Sequence, residues 1–192
     1  MKKIILASGS KQRRLLFETL GLPFEIIPAD IDEKAIPFTD LKSRAENIAR
    51  AKAEEVAKNN LDAIIIAADT YVVKDGVALE KPQNLEEAQA MLLNQSGSKS
   101  IAYSGYCYID KENNIDVSGV AETMTKFREL SPEFILHYVR SNPVKDWSAA
   151  FSPAYHEGMA LIDSIEGSFT SFTHGLPLEI IVPLLKKSGV KV

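Results

Sequence analysis

An α/β fold is predicted for this 192-residue chain by three stretches of its sequence. Ile4-Ile5-Leu6 is a short apolar run of the kind a buried strand shows, and Ser8-Gly9-Ser10 breaks it just before Leu15, Leu16, Thr19 and Leu20 recur at helical spacing. Leu61 to Ala68 is apolar almost without alternation, the pattern of a strand buried on both faces. Ser100 to Asp110 and Ile115 to Phe127 read as two long strands joined by the polar turn Lys111-Glu112-Asn113-Asn114.

Taken in order, the first strand, turn and helix form a natural phosphate cradle. Free backbone N–H groups at the helix start point outward and the helix dipole favours an anion, with Ser8 and Ser10 in the turn. Arg13 and Arg14 lie one turn into that helix, where a guanidinium can fold back on the same anion; a paired arginine on an amphipathic helix is equally a solvated face. The stretch fits neither the P-loop spacing nor the dinucleotide fingerprint.

Gly21 is a left-handed helix stop, and Pro23 to Ile27 alternates as a short strand. The acidic loop Pro28 to Glu33 follows, either solvated or a source of ligands for a hard cation such as Mg²⁺. Asp40 is placed to cap a helix from Leu41 to Asn59, on whose alanine-rich stripe Lys52 is the odd member and snorkels to solvent unless it has a partner. The strand ending at Ala68 leads into Asp69-Thr70. A carboxylate at the C-terminal end of a central strand sits at the crevice where open α/β sheets hold ligands, although Asp69 equally suits a turn cap.

Asp75-Gly76, between Tyr71–Lys74 and Val77–Leu79, is a two-residue hairpin signal. Lys81 precedes a proline and is therefore extended, free to reach a phosphate. Asn84 caps a helix through Asn94, and Gln95 to Lys99 reads as a flexible loop. Ser131-Pro132 starts a further helix, with His137 on its outer side, and Pro177 starts the last one.

Composition bounds the function. With 45% hydrophobic residues the chain can bury a substantial core as one domain spanning residues 1–192. A formal net charge of -4 argues against stable nucleic-acid binding, so any cationic site must be local. The single cysteine, Cys107, excludes an internal disulfide and suits a reducing compartment; its alternating strand makes it a core residue. The apolar run after Lys2-Lys3 is too short for a signal peptide or membrane span, and the expectation is a cytoplasmic protein.

Leu6-Ala7-Ser8-x-Ser10-x-x-Arg13-Arg14 resembles the opening signature of the Maf family of nucleotide pyrophosphatases, also described as septum-formation inhibitors. Ala67-Ala68-Asp69-Thr70-x-Val72, Glu80-Lys81-Pro82 and Gly175-Leu176-Pro177 resemble further motifs of that family, so the likeness covers nearly the whole chain. The chain departs from the family pattern with Lys11 for proline, Glu80 for glycine, Phe172-Thr173-His174 for a motif with Asn-Val, and an altered segment from Asn142 to Gly158.

The resemblance implies an α/β fold with a mixed, bent sheet, flanking helices and a cleft between two lobes, related to the inosine triphosphatases. It also implies a homodimer and a house-cleaning nucleoside triphosphate pyrophosphatase that needs Mg²⁺ or Mn²⁺. On this pattern Asp69 is the catalytic base or metal ligand, Glu33 shares the metal, and Ser8, Ser10, Arg13, Arg14, Lys52 and Lys81 hold the phosphates. In the altered segment Phe151 takes an aromatic place and Glu157 the position before glycine. A carboxylate only accepts hydrogen bonds and guanine offers two donors, while Trp147 can stack on a purine, above all a cationic one such as 7-methylguanine. These points favour a guanine-type substrate such as 7-methyl-GTP or another modified nucleotide, although Trp147 equally suits a core position and Glu157 a solvated one; dTTP or UTP is the alternative substrate. A nucleotide-binding regulator of cell division is the alternative of another class.

Overall fold

The computed structural model describes residues 2–192, without the side chain of His156. Seven strands form one mixed sheet in the order β2-β1-β3-β5-β6-β7, with β4 paired to β3 off this path. They are β1 (Ile4–Leu6), β2 (Glu25–Ile26), β3 (Ile64–Lys74), β4 (Val77–Leu79), β5 (Lys99–Asp110), β6 (Ile115–Phe127) and β7 (Ile162–Gly167). The helices are α1 (Lys11–Glu18), α2 (Leu41–Ala57), α3 (Leu85–Gln95), α4 (Pro132–Ser141), α5 (His156–Met159), α6 (Phe169–His174) and α7 (Leu178–Lys187).

The period of two in β3 sorts its side chains between two layers. Ile65 and Ala67 pack with Ala49, Ala53 and Val56 of α2 and with Cys107 of β5. Ile64, Ile66 and Ala68 turn the other way, onto Leu16 and Phe17 of α1 and Ile181 and Leu185 of α7. A third cluster, around Leu92, Phe127, Tyr138 and Trp147, fills the other end of the molecule beneath α3 and α4.

The predicted termini hold where local chemistry sets them. Asp40 accepts from Ser43 N–H and Ser43 returns the bond to the Asp40 backbone, a capping box on α2. Asn84 and Ser131 cap α3 and α4, and Gly21 takes a left-handed φ of 65°.

Two features differ from the sequence pattern. Asp69 is not at the end of its strand: β3 runs on to Lys74, because β5 pairs with it continuously from Ile65 to Val73. Gln95 to Lys99 is not a flexible loop. Gln95 is fully buried, and its amide donates to the Met91 and Ala149 carbonyls.

Candidate active site

A gap along one edge of β3 opens the site. β1 pairs in parallel with Ile64–Ile66 and β4 pairs antiparallel with Val72–Lys74, both on the side away from β5. β1 stops at Leu6, and the chain turns into Ser8-Gly9-Ser10. Between these two partners Asp69 and Thr70 face a cleft of about 1260 Å³, which also takes in Ser8, Ser10, Arg13, Glu33, Lys52, Lys81, Trp147 and Phe151. The crevice at a strand's carboxyl end is therefore that of β1, with Asp69 reaching it from the middle of its longer neighbour.

The alternation of β3 sends Asp69 toward α2 and Thr70 toward α1. On the α2 side, Lys52 Nζ lies 2.8 Å from Asp69 Oδ1 and 2.7 Å from Glu33 Oε1, so one ammonium bridges both carboxylates. The lysine does not snorkel: its side chain is only 13% exposed. On the α1 side, Arg13 is buried and its guanidinium donates to the Gly175 carbonyl (3.0 Å), Ser8 Oγ (3.0 Å) and Thr70 Oγ1 (3.2 Å). Thr70 Oγ1 in turn donates to Ser104 of β5. Arg13 thus ties the first turn, the central strand and the Gly175 loop together. Burial pulls its pKa below the ordinary arginine value, and the charges of Asp69 and Glu33 oppose that shift.

At the helix start Ser10 Oγ accepts from Arg13 N–H and caps α1. Gln12 joins Ser8 and Ser10 on the cleft wall. His174, also on that wall, has its pKa lowered by burial.

Arg14 and Glu157 do not join this group. Consecutive helical residues point about 100° apart, so with Arg13 turned inward Arg14 faces solvent, where it pairs with Glu18 one turn on. Glu157 accepts a hydrogen bond from the Asn142 side-chain amide and is not among the cleft residues. Trp147 and Phe151 line the cleft from its apolar end, both largely buried; Trp147 stacks on Tyr155 at 5.3 Å between ring centroids.

The structure also adds residues that the sequence did not single out. Arg44 of α2 lines the cleft and pairs with Glu80 at 2.9 Å. Gly105 of β5 stands directly across from Asp69 in the sheet register and lets the α2 backbone press against the strand. An isolated glycine within a strand pattern is a signal of close backbone approach, and it was available in the sequence. Ala149 holds a left-handed φ of 60°, and its carbonyl and N–H are bonded to Gln95 and to the Glu80 carbonyl.

Among the described residues no group of three or more His, Cys, Asp and Glu side chains is gathered as a metal cage, and no helix is long and apolar enough to cross a membrane. Lys52 joins Glu33 and Asp69 into one acidic pair, and Asp32, Glu80 and Asp146 also line the cleft.

Comparison with known proteins agrees with this architecture. The dTTP/UTP pyrophosphatase of Deinococcus radiodurans is 37% identical over 188 residues, covering 98% of this chain and 94% of that protein. The dTTP/UTP pyrophosphatase of Moorella thermoacetica is 36% identical over 192 residues, covering 100% and 98%. Among solved structures, the Staphylococcus aureus Ham1 protein superposes with a TM-score of 0.55 at 15% identity over 97% of this chain and 100% of its own. A HAM1 protein from Coxiella burnetii gives 0.52 at 16% identity with the same coverage. At these identities the likeness to the solved structures is one of fold. The family model described as Maf-like protein matches residues 3–188, and the chain belongs to the Maf-like protein family.

Proposed function

We propose that this protein hydrolyses a nucleoside triphosphate to the monophosphate and pyrophosphate, and that dTTP and UTP are its substrates. The observation that carries the proposal is Asp69, a carboxylate set at the gap in the β3 edge among Arg13, Lys52 and Lys81, with an aromatic wall at the far end of the same cleft. The names of the relatives support the nucleobase. The guanine argument rested on Glu157 and Trp147; Trp147 lines the cleft, but Glu157 accepts a hydrogen bond from Asn142 and is not among the cleft residues.

In this mechanism Asp69 accepts a proton from water as the water oxygen attacks the α-phosphorus. The bond from that phosphorus to the bridging oxygen breaks, and pyrophosphate leaves with the bond's electron pair. Such transfers depend mostly on positioning and charge stabilisation. Lys81, the α1 N-terminus and the serines of the first turn bind the phosphates, while Arg13 holds the cradle in shape from behind. Trp147 and Phe151 pack against the base and exclude water from that end.

Glu33 and Asp69, the two carboxylates that Lys52 bridges, have the oxygen chemistry of a Mg²⁺ site, since that ion takes one or two protein carboxylates and completes its shell with phosphate and water. Glu33 and Asp69 would hold the ion, which when bound neutralises phosphate charge and acidifies water. A cytoplasmic homodimer is part of the same proposal; sedimentation of the purified protein tests the assembly.

The test is to incubate the protein with Mg²⁺ or Mn²⁺ and dTTP, UTP, GTP or 7-methyl-GTP, and to separate products by chromatography. Monophosphate and pyrophosphate from dTTP and UTP are expected, with loss of turnover on chelation. The same products from 7-methyl-GTP alone would overturn the base assignment. Binding of nucleotide without turnover would favour the regulator of another class.

A further inference from the structure

Arg44 is held more loosely than Arg13 and Lys52, two other cations of the same cleft. Arg13 is buried and hydrogen-bonded on three sides, and Lys52 is fixed between two carboxylates. Arg44 has Glu80 as its ion-pair partner, through a single Nη1–Oε1 contact of 2.9 Å, and the Glu80 side chain is 64% exposed. An exposed pair of this kind is weak, because water screens it and two long side chains must be held in one geometry.

The guanidinium does not depend on that pair for its place. It lies over the rings of Tyr71 and Phe38, at 5.1 and 5.7 Å from their centroids, and its side chain is 23% exposed. Tyr71, Glu80, Lys81 and Asp69 line the same cleft. The Asp69 charge reaches Arg44, adding to the upward shift that its hydrogen bond to Glu80 chiefly produces. A planar fork held on two aromatic faces, with donors to spare, suits a phosphate group better than a single carboxylate oxygen.

We propose that Arg44 is a further substrate-contact residue, an arm that exchanges Glu80 for the polyphosphate of the incoming nucleotide. Glu80 then acts as a resident competitor that holds the arm at the rim until substrate arrives. The inference rests on the pyrophosphatase proposal above and extends its phosphate site to α2.

The two partners of the pair should therefore have opposite effects. Titration of the intact protein with inorganic tripolyphosphate by calorimetry should show weaker binding, by about tenfold, in Arg44→Gln, because a charge-assisted contact is lost. Glu80→Gln should bind it more tightly than the wild type, because the competitor is gone. With dTTP the same variants should move KM in the same two directions and leave kcat little changed. Weakening in Glu80→Gln, or no change in either variant, would show that the pair only braces the rim and would overturn the proposal. If Arg44→Gln does not fold, the sign of the Glu80→Gln change decides alone. A wild type that binds tripolyphosphate but releases no pyrophosphate from any nucleotide would remove the enzymatic proposal and leave this comparison of variants standing.

Discussion

Replacing Gly105 with alanine tests the link between packing and the site. A Cβ built on Gly105 lies 2.0 Å from the Ala45 carbonyl oxygen, 2.2 Å from its carbon and 2.6 Å from Glu46 N. All three are backbone atoms of α2, so no rotamer change can relieve the overlap. Ordinary contact between such atoms needs about 3.5 Å, and the helix must therefore retreat by roughly 1.5 Å or the strand must bend.

Overpacking of this kind costs about 1–3 kcal/mol, at the upper end where backbone must move. The same shift carries Lys52 and Arg44 away from β3, and a misplacement of about 1 Å lowers turnover by around 10²-fold. Urea unfolding followed by circular dichroism reads the stability, and pyrophosphate release reads the site. Stability and turnover both at the wild-type level would refute the argument that contact between α2 and β5 positions Asp69 and Lys52.

Three further outcomes are expected. Asp69→Asn should lower turnover by about 10²–10⁴-fold while nucleotide binding, read by calorimetry, is retained; unchanged turnover would remove Asp69 from the mechanism. Gln95→Met keeps the buried volume but leaves the Ala149 carbonyl without its amide donor. It should cost about 1–3 kcal/mol in urea and raise KM through the strained turn beside Trp147, whereas wild-type values in both assays would separate Gln95 from the cleft. Asp110 supplies a pH dependence. Its burial favours the neutral acid, but hydrogen bonds from Lys2, Ser188 and Asn113 outweigh that and hold its pKa below the usual carboxylate value. A depressed folded pKa gives stability that is complete above the unfolded value of about 3.9 and lost as pH falls through the folded one. Asp110→Asn should therefore flatten the decline of unfolding free energy below about pH 4, and an unchanged acid slope would refute this assignment.

Much of the fold was legible in the sequence because short-range chemistry sets it. Asp40, Asn84 and Ser131 cap helices from their own local positions, and Asp75-Gly76 closes the β3–β4 hairpin through the backbone conformations it permits. The unbroken apolar run before Asp69 marked the central strand, because a strand covered on both faces has no solvent side to keep polar. The motif residues Ser8, Ser10, Glu33, Lys52, Asp69 and Lys81 were named from the sequence, and the fold gathers them around one cleft.

What the sequence left open depended on which partner lies across a gap in space. Asp69 looked like a strand end, since nothing local reveals that β5 continues the pairing to Val73. Arg13 and Arg14 are chemically identical neighbours, and only the docking of α1 turns one inward to Thr70 and Gly175 and leaves the other with Glu18. Glu157 was placed by its distance along the chain from a glycine, but the packing of α5 against the end of α4 gives it to Asn142. Arg44 reaches the cleft because α2 can approach the sheet at Gly105, a contact between residues 60 positions apart. The chain's chemistry is written in local motifs; the choice of which charges meet is made by long-range packing, which buries a side chain only where the opposite element fits against it.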